Sequence, residues 1–401
     1  METPAGDDRL SELPDCVLAN NILSRLTSRQ AARTSVLSRR WRHLWRAVPC
    51  VDIDHREFRA SEAIDVHAAE NERVRLSVKE SEAFEDLGDR LLPLLDAPPP
   101  PLDALRLRVS YLDFSSTGRR FTRRGLARRP VEFHLSCDND VIRCPRTRSD
   151  RFPNFPGLTL PRHLGAFAYR LTTVRLAGLA LDDDFADCLA KDFPVLEDLQ
   201  LEGCSCFRGY MPPNDVLAIG APRVASLRID CPPPAPPVTV VGGMPDLVAA
   251  SLRDPAGEIG LLRSLCHARR LDLTAFSTTA LLLGGDDDSG DFPVFGNLRT
   301  LLMYRCDVGV GCQALRRFLR SAPSLEALTL CYCSCSGDSS RSRKRKARSG
   351  EKAFDHDYWC IRTACECMSL KSIELEFYEG RAIDELAQAL VHVAKEEPRS
   401  I

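Results

Sequence analysis

The sequence predicts an α/β protein, in which three short N-terminal helices precede a solenoid of parallel strands. The strands are expected on the concave face, and helices or irregular turns on the convex face. Three observations predict this fold. A unit of the form LxxLxL recurs along the chain, its copies follow one another at steps of about 26 residues, and the segment before the first copy spaces its apolar residues as helices do.

The overall composition limits the class of protein. The 401 residues include 54 basic and 56 acidic side chains, for a formal charge of −2. This balance excludes a disordered chain and a globally basic nucleic-acid binder. No stretch approaches the roughly 18 unbroken apolar residues of a membrane span. The 17 cysteines are an odd number, and the start METPAGDDRLSELPD has no apolar run, so free thiols in a reduced intracellular compartment are expected.

The N-terminal segment is predicted to form three short helices. Pro14 and Asp15 suit the first turn of the first helix, Ser28 can cap the second, and Trp41 and Trp45 lie on one face of the third. Residues 16–49 contain no Asp or Glu, which implies an acidic partner. The arginines of this stretch are Arg25, Arg29, Arg33, Arg39, Arg40, Arg42 and Arg46. A helix-turn-helix that binds DNA is a second interpretation, but the third helix has no Asn or Gln to contact adenine.

The motifs LPDCVLANNILSRL and RTSVLSRRWRHLW resemble an F-box, in the version found in plant F-box proteins with leucine-rich repeats. The resemblance covers residues 9–49. It implies that the helices dock on the acidic SKP-type adaptor of cullin–RING ubiquitin ligases, with Trp45 holding the module together. The contacts that the resemblance implies are Leu13, Pro14, Leu18, Ile22, Leu23, Val36, Leu37, Arg40 and Trp41.

The first helix departs from the family pattern by one residue. Val17 and Ile22 are five positions apart where the family has four, as if one residue had been inserted within ANN. One extra residue rotates the rest of an α-helix by about 100°. We therefore expect a π-bulge or a shifted helix start. Thr27 also occupies a position where the family often has proline. If the distortion abolished adaptor binding, the chain would be a repeat scaffold without a ligase.

The repeated unit predicts a leucine-rich-repeat array over residues 101–380, since its step lies within the range of such repeats. In each unit two apolar residues point inward and the residue between them points outward. Residues 131–135 (VEFHL) form a further strand, and residues 50–100 a linking region with a first strand and helix. The units begin at Leu102, Leu171, Leu196, Val224, Leu247, Ala268, Leu298, Leu325 and Leu370.

The outward residues of the strands are the candidates for binding a target. They have mixed charges and so identify no ligand. These candidates are Arg175, Gln200, Arg228, Asp272, Thr329 and Glu374. Three residues after the last apolar position, such repeats favour Asn or Cys. Cys204, Cys306 and Cys333 have that offset, and Cys231 is one residue early, so these thiols are expected to be structural.

Two further segments have distinct compositions. Residues 336–355 are predicted to be a disordered basic insertion, interpreted either as a solvated loop, as a nuclear import signal or as a nucleic-acid contact. Its cations are Arg341, Arg343, Lys344, Arg345, Lys346 and Arg348. Residues 381–401 are predicted to form a capping helix and tail, weakly similar to the FBD-type ending of plant F-box proteins.

Motifs for catalysis or metal binding do not emerge from the sequence. It contains no HExxH, no phosphate-binding GxxxxGK[ST] and no Gly-flanked serine elbow. The cysteine pairs between residues 331 and 367 are one residue apart, which does not fit zinc, and the run at 284–291 lacks the Glu of a calcium loop. No cofactor is expected. The sequence thus predicts a non-catalytic substrate receptor of an SKP–cullin–F-box ligase, in the nucleus or cytoplasm or both. Its partners would be the adaptor, through it a cullin, and a protein target, with no membrane and with nucleic acid disfavoured.

Overall fold

The computed structural model describes the chain in thirteen stretches. These are residues 12–58, 70–93, 100–110, 117–138, 157–158, 168–181, 185–206, 216–230, 238–253, 259–276, 292–308, 313–334 and 369–376. They belong to two compact units. The first unit comprises Met1–Leu179 with Asp192–Val195, and the second comprises Ala180–Lys191 with Leu196–Ile401.

The first unit begins with a helical module of three short segments. The first consists of α1 (Asp15–Val17), a π-helical turn (Leu18–Ile22) and a 3-10 turn (Leu23–Arg25). The second consists of α2 (Ser28–Arg33) and a 3-10 turn (Thr34–Val36), and the third of α3 (Trp41–Leu44) and a 3-10 turn (Trp45–Ala47). The three predicted helices are therefore present, each of them short and each ending in a tighter turn.

A parallel sheet follows the helical module in the first unit. Its strands, in spatial and chain order, are β1 (Cys50–Asp54), β2 (Ala104–Ser110), β3 (Glu132–Asp138) and β5 (Thr173–Ala177). The sheet thus begins inside the predicted linking region, because β1 pairs with β2. The remaining elements are a 3-10 turn (His55–Phe58), α4 (Glu70–Leu91), α5 (Arg119–Leu126) and the short β4 (Gly157–Leu158).

The described residues of the second unit include a ladder of seven parallel strands, each paired with the next member of the ladder. They are β7 (Asp198–Glu202), β10 (Ser226–Asp230), β12 (Ala249–Arg253), β13 (Arg270–Thr274), β14 (Thr300–Tyr304), β15 (Ala327–Cys331) and β16 (Ser372–Glu376). Two smaller ladders join β6 (Ala180–Leu181) to β8 (Ser205–Cys206), and β9 (Leu217–Ile219) to β11 (Val238–Val240). The helices are α6 (Phe185–Asp192), α7 (Ile259–Ser264) and α8 (Gln313–Ser321).

The strands confirm the predicted role of the repeated unit. A strand lies at every LxxLxL copy and at residues 131–135. Within β13, for example, Leu271 and Leu273 are fully buried while Arg270 and Asp272 face outward. Registers are equivalent from strand to strand, so the inward leucines stack in rows and each strand covers its neighbour's apolar edge. The predicted α/β fold, a helical module followed by parallel-strand repeats, is confirmed.

The cysteines that follow the strands also lie where the repeat pattern predicts. Cys204, Cys306 and Cys333 are buried. The Sγ of Cys306 is 3.4 Å from the carbonyl oxygen of Leu273, and that of Cys333 is 3.4 Å from the carbonyl oxygen of Met303, each in the preceding repeat. These thiols therefore satisfy backbone carbonyls at the bend, as structural residues do.

Several predictions fall outside the described residues. They are the basic insertion with its import candidates, the C-terminal helix, Cys231, the run at 284–291 and the cysteines from 335 onward. Within the described ranges, none of the helices combines the length and hydropathy needed to cross a bilayer.

Candidate functional site

The first helical segment accommodates its extra residue by a π-helical turn over Leu18–Ile22. The N–H of Leu23 donates to the carbonyl of Leu18, five residues back, as well as to that of Ala19. In an α-helix, residues five apart diverge by about 140°. The wider turn instead allows Leu18 and Leu23 to enter the same core, so the predicted π-bulge is confirmed.

The core of the helical module contains two of the residues predicted to contact the adaptor. Leu18 and Leu23 are each 0% exposed and pack with Ala31, Leu44 and Val48. This corrects their assignment as contact residues, because their side chains stabilise the module from inside. The spacing of the sequence did not reveal that Leu18 and Leu23 are buried, because the π-turn changes which residues share a face.

The remaining predicted contacts lie at or near the surface of the module. Val36 and Leu37 are the most exposed, with 85% and 66% of their surface accessible, and Pro14 is also exposed. A second group is partly buried against the core, namely Leu13, Ile22 and Trp41. Burial of Val and Leu side chains away from water lowers the free energy. The Val36–Leu37 pair is therefore the strongest apolar docking feature of the module.

Arg40 connects the start of the first segment to the third. Its Nε lies 2.7 Å from Asp15 Oδ1, and its Nη2 donates to the carbonyl oxygen of Leu13. Pro14 is exposed and lies between Leu13 and Asp15. The two contacts therefore hold Pro14 close to Arg40, which follows Leu37 by three residues. Arg40 was predicted to contact the adaptor, and in the structure it joins the parts of the surface on which such a partner would sit.

The arginines of the module are distributed between the surface and internal contacts. The side chain of Arg29 lies over the ring of Phe58, 4.4 Å from its centroid, and that of Arg46 lies over Trp45. The exposed ones are Arg25, Arg33, Arg39, Arg42 and Arg46. With no acidic residue in 16–49, this surface is positive and suits association with an acidic partner.

Hydrogen bonds fix the helical module to the beginning of the sheet. Thr27, and not Ser28 as predicted, caps α2: its Oγ1 accepts from the N–H of Gln30 and donates to Glu57 Oε1 at 2.8 Å. Ser28 is buried, and its Oγ accepts from the N–H of Asp52 in β1 at 2.9 Å. Thr27 stands where the family often has proline. Unlike proline, it caps the helix with its side chain and also bonds to the turn after β1.

The second candidate surface is the outward face of the strands. In the first unit the central row runs through Asp52, Arg106, His134 and Arg175. Sequence reasoning named only Arg175 in this row, although the LxxLxL offset also identifies Arg106 and the VEFHL strand His134. Burial raises the pKa of Asp52, against the opposing effect of Arg106. Arg106 also pairs at 3.2 Å with Glu132, which lies beside the row, so carboxylates and cations are mixed on this face.

The central row of the second unit contains the other five candidates. It runs through Gln200, Arg228, Ser251, Asp272, Leu302, Thr329 and Glu374. Arg228 and Glu374 are exposed, and the other three candidates are partly exposed. The structure adds Ser251 and Leu302, which occupy the same offset in their units. Each candidate therefore lies on a strand face where a partner can reach it, and their roles in binding stay predictions.

Comparisons with known proteins agree with these two features. The sequence model of the F-box domain matches residues 10–51, which is the helical module up to the start of β1. The meiotic F-box protein MOF of Oryza sativa subsp. japonica is 34% identical over 420 aligned residues, spanning 94% of this chain and 82% of the rice protein. An F-box/LRR-repeat protein of Arabidopsis thaliana is 42% identical over 92 residues, or 23% of this chain and 17% of its own length.

The module and the strand array together define a protein with an N-terminal F-box and a repeat domain. The extent of the match to the rice protein establishes the family. The chain belongs to the plant F-box proteins with leucine-rich repeats. F-box domains bind SKP-type adaptors, and the match supports a general substrate-adaptor role of the SCF type, which in this family is non-catalytic.

Proposed function

We propose that this chain is the substrate-receptor subunit of an SKP–cullin–F-box ubiquitin ligase. The helical module binds the adaptor and through it a cullin. The outward strand face holds a protein target while the partners transfer ubiquitin to it. The observation that supports adaptor binding most strongly is the exposed Val36–Leu37 pair, on a module whose Leu18, Leu23 and Leu44 are buried.

Electrostatics support the same role. The exposed arginines belong to the same module as the apolar pair, and the family's adaptor is acidic. Long-range attraction of this kind raises the association rate and orients the partners, and salt weakens it. The DNA-binding alternative has less support, because the arginine-rich third segment is α-helical only from Trp41 to Leu44, about one turn, where a recognition helix lies along the major groove.

The connection between module and sheet suits a receptor. Ser28 and Arg29 of α2, together with Thr27 at its N-cap, contact the backbone of β1 or the turn that follows it. A target on the strand face of the first unit would therefore have a defined position relative to the adaptor. We also propose that the protein works in the nucleus, the cytoplasm or both, which the basic residues 341–348 would permit if they serve as an import signal.

Co-purification tests the adaptor interaction. The intact chain, co-expressed with a plant SKP-type adaptor, should retain it through affinity purification and size-exclusion chromatography. A variant with Leu13→Ala and Pro14→Ala should lose the adaptor while circular dichroism shows that it remains folded, with a lower unfolding temperature because Leu13 packs partly against the core. Failure of the intact chain to retain the adaptor would favour the scaffold function instead. Tight, salt-sensitive binding to a DNA duplex would favour the DNA-binding one.

A further inference from the structure

The turns after the strands of the second unit contain an unusual series of residues. The position immediately after the strand has a positive φ in four repeats: Gly203 (56°), Ala275 (52°), Arg305 (53°) and Tyr332 (55°). Glycine adopts this conformation freely, whereas other residues do so at a cost in free energy. Three repeats thus keep a side chain where glycine would be less strained.

The backbone explains the conformation but not the side chains. In each case the N–H of this residue donates to the carbonyl at the end of the next strand. The distances are 2.6 Å from Gly203 to Asp230, 2.7 Å from Ala275 to Tyr304, 2.8 Å from Arg305 to Cys331 and 2.8 Å from Tyr332 to Glu376. Gly203 makes this hydrogen bond without a side chain. The backbone hydrogen bonds between the repeats therefore do not require a side chain at position 305 or 332. Arg305 and Tyr332 differ from Ala275, which shares the strained conformation, in that their large side chains contact one another, and such outliers motivate a functional hypothesis.

Two of these side chains form one cluster with Tyr304. The rings of Tyr304 and Tyr332 meet edge to face with centroids 5.6 Å apart. The guanidinium carbon of Arg305 lies 5.3 Å from the Tyr304 centroid and 5.9 Å from that of Tyr332. Together with Leu302, which faces outward on the same strand as Tyr304, these residues form what we call the tyrosine patch. Tyr332 is 45% exposed, so the patch is accessible.

Two exposed carboxylates accompany the tyrosine patch, which itself contains the cation Arg305. The outward positions of β14, β15 and β16 include Glu374 and Glu376, both exposed, and no Lys or Arg. Glu376 also raises the pKa of the neighbouring Cys331 thiol, in addition to the larger effect of burial. An apolar and aromatic centre with a charged rim has the composition of a protein-binding hot spot, in which Tyr and Arg are enriched.

We propose that the tyrosine patch is the anchor point for the target, and that it binds a polypeptide segment with an aromatic or large aliphatic side chain next to Lys or Arg. This proposal rests on the proposed function, since it identifies the part of the strand face that the target occupies. The apolar side chain packs on Leu302 and Tyr304. The adjoining cation pairs with Glu374 and Glu376.

Peptide binding tests the proposal on the intact chain in complex with its adaptor. Three short fluorescent peptides serve as probes: one with a central phenylalanine flanked by lysines, one with glutamates in place of the lysines, and one with alanine in place of the phenylalanine. Fluorescence anisotropy should show that the first binds at least about ten-fold more tightly than either of the others. Equal binding of the acidic peptide would overturn the proposal.

Variants locate the binding on the patch. Tyr332→Gly should weaken binding of the first peptide about five-fold or more with little change in the unfolding temperature, because relief of the strained turn offsets the lost contacts with Tyr304 and Arg305. A purely structural tyrosine would lower the unfolding temperature instead, which would contradict the proposal. Glu376→Gln should weaken binding, whereas the matched change Glu202→Gln, at the equivalent position of β7, should not. Equal effects of these two changes would mean non-specific charge attraction.

Two further outcomes separate this inference from its premise. If adaptor is retained but no variant of the patch affects the peptides, the inference fails and the proposed function stands. If the chain retains no adaptor, the proposed function itself fails. Deletion of residues 336–355 should leave peptide affinity unchanged. A rise in affinity would mean that this basic segment of the chain competes for the patch, and the proposed occupant would be wrong.

Discussion

Replacement of the exposed apolar pair by alanine tests the docking surface most sharply. Val36→Ala with Leu37→Ala removes apolar groups that contact water in the free protein and would be buried against the adaptor. Because both side chains are exposed, the double variant should fold as stably as the wild type, within about 0.5 kcal/mol as for most surface changes. The expected loss is therefore confined to adaptor binding.

The exposed fractions set the size of this loss. A buried methylene-sized group contributes about 0.8 kcal/mol. Alanine removes two such groups from Val36, which is 85% exposed, and three from Leu37, which is 66% exposed. If both side chains become fully buried on binding, scaling by the exposed fraction gives a loss of binding free energy of about 1.4 kcal/mol for Val36 and about 1.6 kcal/mol for Leu37. A total of about 3 kcal/mol predicts a rise in the dissociation constant of roughly a hundred-fold. Isothermal titration calorimetry with purified adaptor measures it directly.

Two controls make the result decisive. Val241 and Val248 of the second unit are 53% and 45% exposed, so their change to alanine removes about half as much exposed apolar surface, none of it on the helical module, and should leave the affinity unchanged. Leu18→Ala should instead lower the free energy of unfolding by about 2–5 kcal/mol, because this side chain lies in the core. If the Val36 and Leu37 double variant bound the adaptor within about two-fold of the wild type, the assignment of the docking surface would be refuted.

Three other predictions concern the helical module and the thiols. Deletion of the exposed Asn21 should convert the π-turn to a regular α-turn that still places Leu18 and the leucine of position 23 on one face. The midpoint of thermal unfolding should therefore be unchanged or higher. A marked decrease in this midpoint would mean that the wider turn is required. Ser28→Ala leaves the N–H of Asp52 without its acceptor and should lower the free energy of unfolding by about 1–3 kcal/mol in denaturant titrations; an effect below about 0.5 kcal/mol would contradict this contact. Burial and the neighbouring Asp138 raise the pKa of Cys137 to about 12. Iodoacetamide at pH 8 should therefore modify the exposed Cys16 first and Cys137 only upon unfolding, as peptide mass spectrometry would show. Equally fast modification of both thiols would refute the burial of Cys137.

The strand array was predictable because its determinants are periodic. Each LxxLxL copy specifies which residues face inward, and a strand lies at every copy. The offset of Cys306 and Cys333 likewise followed from the unit, and their bonds to the preceding repeat agree with it. The strand over Cys50–Asp54 was expected only as part of a linking region, since no full LxxLxL copy precedes it; the structure pairs it with Ala104–Ser110 as part of the sheet.

The docking surface was less predictable, because it depends on which residues of a short module face inward. The extra residue in the first segment indicated a π-bulge, but the spacing did not reveal that Leu18 and Leu23 would both be buried. Thr27 likewise took the capping role expected of Ser28, whose hydroxyl instead bonds to β1. The tyrosine patch arises from a backbone conformation after the strand, and no sequence signal distinguishes a strained Tyr332 from an ordinary turn residue.

The receptor function itself is tested most directly by the composition of the complex that the chain forms. The intact chain, an SKP-type adaptor and a cullin should be co-expressed and purified through a tag on the cullin, and the mass of the product measured. We predict a single complex that contains one copy of each, from which the Val36→Ala and Leu37→Ala double variant is missing. If the adaptor and the cullin purify together from this co-expression while the wild-type chain is absent from the product, the account is contradicted.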